Sequence, residues 1–325
     1  VDNELNTFMI HSCDATCRPK TPGTLITLKN AGETGDMWMI PLFSGVYVSF
    51  NDLHMHTIPV MQSSCARRML INYCEEGRCE VNLGDAGYVF VDKGLLSIDT
   101  HTVKHDFKSP TGRYKGTELF IDFSALQQDN PPVFETMDID IRQIRAKFCP
   151  DDESFLARAP DTITQIFRKM AECSSSLTLL RLSVLRLLYE LSVLVKGEMA
   201  VKNSFLTRGQ AEIAKRTYQI VTDRLSHKYS VSEIADSFGI SETSLRNYFQ
   251  QVYGESIPSL IRRKRMEQAA AVLVNTDKAI TEIALLAGYE NQSKFSAAFK
   301  RYYGDSPMEY RRMERLNTKG EHWDD

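Results

Sequence analysis

A chain of 325 residues, 42% hydrophobic and 25% charged, is long enough for two cores and has the composition of globular domains, which excludes a fibrous or disordered protein. No apolar run reaches the length of a membrane span, since Arg181 and Arg186 break the Leu-rich stretch 177–195, and the N-terminus shows no basic-then-apolar export signal. A cytoplasmic chain without membrane contact is therefore expected. The net charge of −3 divides unevenly: residues 1–203 hold 21 Lys/Arg against 26 Asp/Glu, residues 204–316 hold 17 against 13, and 317–325 is an acidic tail. A mildly basic part on an acidic partner suits a polyanion-binding module.

The seven cysteines, Cys13, Cys17, Cys65, Cys74, Cys79, Cys149 and Cys173, are an odd set without the paired CxxC spacing of a zinc site. Free thiols are expected rather than a disulfide framework. From Trp38 to Phe123 the chain is a series of short runs rich in Val, Ile, Tyr and Phe: GVYVSF, RRMLINYC, RCEVNL, GYVFVD, LLSIDT and GTELFIDF. Gly, Asp and Asn punctuate them, the pattern of a β-sandwich or barrel. EEGR between Cys74 and Cys79 reads as a hairpin turn that would bring the two thiols across adjacent strands. NPPV at 130–133 closes the β-rich part, taken as 1–135 with its core at about 38–123.

Helical spacing follows over 153–170 and 177–198. Leu179, Leu182, Leu185, Leu188, Leu191 and Leu194 fall on one stripe of the second helix, too extensive for a lone surface helix. It is read as core plus subunit contact, with a homodimer seam along it, so 136–203 is a dimerisation and linker segment. Residues 196–205 are polar and contain a glycine, as a linker would. Everything from Leu206 to the tail is helical, which makes the chain an α+β multidomain protein with an all-α domain over 204–316.

Within that domain the sequence repeats itself. Ile234-Ala235 and Gly239 match Ile283-Ala284 and Gly288 at an offset of 49, and Leu245, Phe249 and Gly254 match Phe295, Phe299 and Gly304 at an offset of 50. The units are 231–254 and 280–304. Ala235 and Ala284 stand where two crossing helices touch. Gly239 and Gly288 stand where the turn needs positive φ, and Ser241 is a natural N-cap for the next helix. Small residue, four-residue step, glycine, apolar plug and capped second helix make a helix-turn-helix, here in two copies.

In the first unit the outward face carries Glu242, Thr243, Arg246, Asn247 and Gln250, side chains able to donate and accept at base edges. The second offers Asn291, Gln292, Ser293, Lys294 and Ala297, with Lys300 and Arg301 at the helix end suited to phosphates. Base reading is assigned to Thr243, Arg246, Asn247, Gln250, Gln292, Ser293 and Lys294, and phosphate contact to Ser241, Asn291, Lys300 and Arg301. The stretch 256–274 reads as one helix between the units, able to hold them about one DNA turn (roughly 34 Å) apart. Its basic cluster at 262–265 faces phosphate or acids such as Glu233 and Glu267.

Residues 208–316, and above all ITEIALLAGYENQSKFSAAFKRYYGDSPMEYRR, resemble the DNA-binding domain of the AraC/XylS family of bacterial transcription regulators. The resemblance covers about a third of the chain. It implies two helix-turn-helix subdomains on a linker helix, double-stranded DNA as partner, and base-reading positions that fall at Arg246, Asn247, Gln292, Ser293 and Lys294. Ala297 departs from the larger residue often seen there, so fewer direct contacts are expected from the second helix. The resemblance further implies an N-terminal cupin-like effector and dimerisation domain, a small-molecule effector, a role as activator, contact with RNA polymerase and a place on the nucleoid when bound.

Tyr47, Phe50, His54, His56 and Tyr73 are the candidate effector-pocket residues. His54-x-His56 also resembles the metal-binding pair of enzymatic cupins, with His101 or His105 as a later ligand but no Asp or Glu in the TIPVMQ that follows. Pocket lining, metal pair and structural histidines stay open as readings. No Ser/His/Asp set, P-loop or dinucleotide fingerprint appears, so no catalytic residue, metal or cofactor is expected. The alternatives to a ligand-responsive regulator are a metal-dependent cupin enzyme fused to a DNA-binding domain and a regulator governed by a protein partner.

Overall fold

Runs of β-branched and aromatic residues pack best on a pleated surface, and here they pair into a curled antiparallel sheet. The structure, a computed structural model, describes residues 8–10, 14–58, 61–63, 68–82, 87–100, 107–150, 154–195 and 206–320. Cys13, Cys65, His101, His105, the 196–205 linker and the end of the acidic tail lie outside the described residues. The chain divides into two compact units, Val1–Phe205 and Leu206–Asp325.

The strands of the first unit are β1 (Phe8–Ile10), β2 (Asp14–Pro19), β3 (Thr24–Asn30), β4 (Glu33–Phe43), β5 (Val46–His54), β6 (Thr57–Ile58), β7 (Met61–Ser63), β8 (Arg68–Asn82), β9 (Tyr88–Asp92), β10 (Leu95–Asp99), β11 (Phe107–Lys108), β12 (Tyr114–Asp122) and β13 (Phe155–Arg158). Its helices are α1 (Phe123–Gln128), α2 (Pro132–Thr136), α3 (Ile141–Phe148), α4 (Asp161–Glu172) and α5 (Leu177–Val193). The main sheet runs β13-β10-β8-β12-β5-β4-β3-β2, with β9 and β11 also on β8, and β6 on β11. This is the cupin-like architecture.

Three local expectations are corrected. The sheet begins before Trp38, because β2 and β3 extend it from Asp14. EEGR is not a hairpin turn: β8 runs through it and changes partner, pairing with β12 up to Gly77 and with β9 from Arg78. Gly77 has φ 81°, and a Cβ there would lie 1.9 Å from the Arg113 carbonyl oxygen, so only glycine lets the strand bend that close to β12. Finally, 155–158 is strand rather than helix. It pairs with β10, and the helix starts only after Pro160, whose ring disfavours a helical residue before it.

Strand alternation gives the sheet an inner and an outer face. Val46 and Val48, Met69 and Ile71, Leu96 and Ile98, and Leu119 and Ile121 point outward into the core shared with α2–α5. Met37 and Met39, Leu53, Cys79, Tyr114 and Phe120 point inward. Fully burying each such large apolar side chain contributes roughly 2 kcal/mol. The α5 helix is pinned to β4 by Arg181, whose Nε donates to the Leu42 carbonyl at 2.7 Å. Its expected stripe divides: Leu185, Leu188 and Leu191 are buried, whereas Leu179 and Leu182 are exposed.

The second unit is all-helical: α6 (Arg208–Asp223), α7 (Val231–Ser237), α8 (Glu242–Tyr253), α9 (Ile257–Asn275), α10 (Ile280–Leu286), α11 (Gln292–Tyr303) and α12 (Pro307–Gly320). Ala235, Leu245, Phe249, Ala284, Phe295 and Phe299 have no accessible surface.

Candidate nucleic-acid interface

The duplication seen in sequence is a duplication of bonds. In the first turn Gly239 has φ 66° and the Ile240 amide donates to the Ala235 carbonyl at 3.2 Å; in the second Gly288 has φ 74° and the Tyr289 amide donates to the Ala284 carbonyl at 2.9 Å. Each second helix then starts on a side-chain cap. Ser241 Oγ accepts from the Ser244 amide at 3.1 Å, and Asn291 Oδ1 accepts from the Lys294 amide at 2.9 Å. The sequence points both caps at phosphate; the structure shows them satisfying helix amides, the groups that otherwise face an anion at a helix start.

Between the two motifs, α9 spans 19 residues, a rod of about 28 Å. Its basic cluster splits. Arg263 is paired with Glu255 and Glu267 rather than Glu233, and Lys264 with Glu267 at 3.0 Å. Arg265 donates to the Leu225 and His227 carbonyls at 2.6 and 3.0 Å, while Arg262 is exposed. Two arginines that sequence reasoning passes over close the far end: Arg311 donates to the Leu273 and Lys278 carbonyls, and Arg315 to the Val274 carbonyl and Asp277, capping α9. The YRR ending carries the first of them and Arg315 follows one turn on, since cations near a helix C-terminus find carbonyls without amide partners.

On the outward face of α8, Thr243, Arg246, Asn247 and Gln250 are exposed; on α11 so are Gln292, Ser293, Lys294, Ala297, Lys300 and Arg301. Arg246 is tied to Glu242 one turn back, its Nε donating at 2.9 Å. Gln250 donates to the Gly254 carbonyl at 2.7 Å. Lys294 pairs with Glu290 at 3.3 Å, and its bond, with the Lys228 charge, holds the Glu290 carboxyl below the usual range. Thr243, Asn247, Gln292 and Ser293 make no intramolecular side-chain bond among the described residues and stand ready for an external partner.

Comparison with known proteins agrees with this geometry. The family described as "Helix-turn-helix domain" matches residues 234–313. The HTH-type transcriptional activator AarP of Providencia stuartii is 30% identical over 105 residues, 32% of this chain and 78% of that protein. The chain belongs to the AraC/XylS family of bacterial transcription regulators. The Xylose operon regulatory protein of Escherichia coli strain K12 is 35% identical over 81 residues, 25% of this AraC/XylS family chain, which spans about a fifth (21%) of that relative's length. The C-terminal domain of AraT, a response regulator from Geobacillus stearothermophilus, shares 35% identity over 31% of this chain and 84% of that one, with a TM-score of 0.30.

In the sheet unit of this AraC/XylS family member, a cavity opens on the inner face. Met37, Leu53, Leu70, Phe107 and Phe120 wall it, and Arg68, Asn72, Asp99, Tyr114 and Glu118 supply its polar groups. The candidate pocket residues do not line it. Phe50 and Tyr73 have the opposite strand parity: Tyr73 stacks on Phe167 of α4 at 4.9 Å, and Phe50 packs beside Trp38 on the outer side. Tyr47 is on the inner face, packed into its core. His54 and His56 sit beyond the cavity, exposed. His54 Nε2 accepts from Arg113 at 2.6 Å, and His56 is held by Glu33, whose carboxylate also accepts from the His56 amide at 2.8 Å. No group of three or more His, Cys, Asp or Glu placed to hold a metal is found among the described residues. Burial pushes the Cys74 thiol up to about 12 and Cys79 well above its ordinary value, so both stay protonated. No helix among the described residues is long and apolar enough to cross a membrane.

Proposed function

We propose that the chain is a ligand-responsive transcription regulator, reading two successive major grooves of double-stranded DNA with α8 and α11. The observation that carries this is the pair of helix-turn-helix motifs with matching turn and second-helix cap bonds, joined by one continuous helix. Arg246, Asn247, Thr243, Gln292, Ser293 and Lys294 face base edges, and Lys300 and Arg301 face phosphates. Residues 1–135 sense, 136–203 dimerise and link, and 204–316 read DNA. The name of AarP as an activator supports activation; contact with RNA polymerase, in the cytoplasm, is what the family resemblance implies. The inner cavity supports a small-molecule effector over control by a protein partner through a filled barrel. His54 and His56, engaged by Arg113 and Glu33, lend no support to a metal enzyme.

The test is DNA binding by the full chain to a duplex selected from a random library. Affinity should fall steeply with salt, by a slope of about −0.9 per phosphate neutralised. Arg246→Ala combined with Lys294→Ala should cost roughly 30-fold or more of specific affinity, at about 1–3 kcal/mol per base contact, and leave binding to random duplex within a few-fold. Unchanged specific affinity would remove α8 and α11 as the reading helices.

A further inference from the structure

The outer face of the sheet carries a cleft where its helical cover thins. Strand register sets Arg18, Leu25, Trp38, Phe50, Thr117 and Tyr73 side by side in one row across β2, β3, β4, β5, β12 and β8. At one end of the row Phe167 of α4 stacks on Tyr73 at 4.9 Å, and Thr117 beside it has no accessible surface. Beyond Thr117 the row is only partly covered. Phe50 and Trp38 are half-buried, their ring centroids 6.0 Å apart, and with Leu25 they make an apolar shelf. Above it lies a cleft of about 480 Å³, within the size range of small-molecule sites. The inner cavity lies on the other side of the sheet.

The indole of Trp38 is held in one orientation, its Nε1 donating to the Pro22 carbonyl at 2.9 Å and to the Lys20 carbonyl at 3.3 Å. The Lys20 ammonium rests over the ring, 3.7 Å from its centre, a contact that is weak at an exposed site and readily exchanged. Charges around the cleft divide by position. Arg18 and Lys20 stand at the β2 end of the shelf, whereas Asp36 and Asp52 stand two residues, about 7 Å, further along β4 and β5. Those two acids already have partners: Asp36 accepts from Thr27 at 2.6 Å, and Asp52 accepts from Arg113. Lys115, beside Asp52, lies 3.9 Å from Glu75. Neither Arg18 nor Lys20 has a carboxylate within ion-pair distance among the described residues. Two cations without an acidic partner therefore flank an aromatic face.

We propose that this cleft binds a small aromatic anion, a carboxylate or a phosphate, whose ring lies on Trp38 and Phe50 and whose oxygens are held by Arg18 and Lys20. The ligand ring takes the place of the ammonium on the indole, and the ammonium moves to the anionic head. Beside it the Arg18 guanidinium offers a fork of donors that matches two oxygens at once. A cation of the same shape meets Arg18 and Lys20 as like charges, while Asp36 and Asp52 are already bonded. An uncharged ring gains the shelf alone. The site stands apart from the reading of DNA by α8 and α11 and from the inner cavity.

The experiment uses the full chain with Trp323→Phe, which leaves Trp38 as its single tryptophan. Phenylacetate, phenyl phosphate, phenethyl alcohol and phenethylamine share a ring and differ in the head group, and each is titrated by Trp38 emission and by calorimetry. At least one anion should change the emission and bind roughly tenfold tighter than the alcohol, the factor a charge-assisted hydrogen bond contributes. The amine should bind no better than the alcohol. Arg18→Ala with Lys20→Ala trims two exposed side chains; it should bring the anions down to the affinity of the alcohol and leave the alcohol within about threefold. Binding of either anion supports the site, and the ratio of the two names the head group. An alcohol or amine that binds as tightly as the anions would overturn the anionic class. Anion binding that survives the double substitution would remove it from this cleft, and neither emission change nor heat with all four would overturn the cleft as a ligand site. Binding of the same protein to its selected duplex is measured alongside, so failure here is distinguishable from failure of the DNA-reading function.

Discussion

In the proposed reading of DNA by α8, Arg246 meets the duplex only by letting go of Glu242. The two lie one turn apart on α8, with about half of the arginine side chain exposed (49%), and an exposed pair of this kind is worth at most about 1 kcal/mol. A guanine edge or a phosphate offering two acceptors replaces it readily. Once the exchange is made, the freed carboxylate faces the duplex. Glu290, paired with Lys294, sets the same condition on α11. A carboxylate near the backbone penalises every sequence, while a correct base repays it at one site, so the acid sharpens discrimination. Glu242→Gln should therefore raise affinity for random duplex about three- to tenfold and narrow the ratio of specific to random binding. Competition anisotropy at fixed salt reads both numbers, and an unchanged ratio would show that Glu242 does not restrain Arg246.

At the scale of elements, Arg265 holds the two reading motifs in register. From the middle of α9 it donates to the carbonyls of Leu225 and His227, in the turn that leads into α7. Its guanidinium also packs on Gly288 in the second motif, where a Cβ would sit 2.8 Å from the Arg265 Cζ. Arg265→Ala leaves two carbonyls without a donor and should destabilise the DNA-binding unit by about 2 kcal/mol, visible as a shift of the urea midpoint. It should also weaken sites that engage both motifs more than sites that engage one. A change below about 0.5 kcal/mol would fall within the range of ordinary surface substitutions and remove this role.

The same arginine marks how far the sequence can be read. The motifs are legible because Ala235, Gly239 and Ser241 and their counterparts are dictated by local geometry, which period and spacing express directly. The partners of Arg263 and Arg265 are not, because Glu255 and the Leu225 carbonyl come near only once the helices cross. In the sheet, strands buried on both faces are apolar at most positions, so alternation loses its power to tell inside from outside. That is why the sequence puts Phe50 and Tyr73 in the lumen and hides Asn72 and Glu118 of the cavity wall. The trace of those two is a polar residue inside an apolar run, as in LINYC and TELFID. The course of β8 through EEGR is hidden for a related reason: a glycine that permits a bend and one that makes a turn look alike until the partner strand is known.

At the scale of the molecule, the sensing and the assembly proposed for this chain would share the same strands. Leu70 and Asn72 of β8 line the cavity, while Met69, Ile71 and Tyr73 between them pack on the outer core with α4 and α5. A ligand that shifts β8 from inside therefore presses on α5 from behind. The other side of α5 exposes Leu179 (44%), Leu182 (57%), Tyr189 (51%) and Val193 (56%), and with Arg186 these follow the alternating three- and four-residue spacing of a helix-pairing seam. An apolar face of this kind, on a helix already buried on its opposite side, is best covered by the same helix of a second copy. Pairing would double the reading motifs and make the second half-site an intramolecular encounter. Leu182→Glu places a charge in the seam without touching the core behind it. Light scattering should show the full chain change from dimer to monomer, its thermal stability at low concentration should remain, and affinity for a duplex carrying two half-sites should fall at least tenfold while a single half-site is bound as before. A variant that keeps the dimer mass would move the seam off α5 and cut the mechanical link between cavity and assembly.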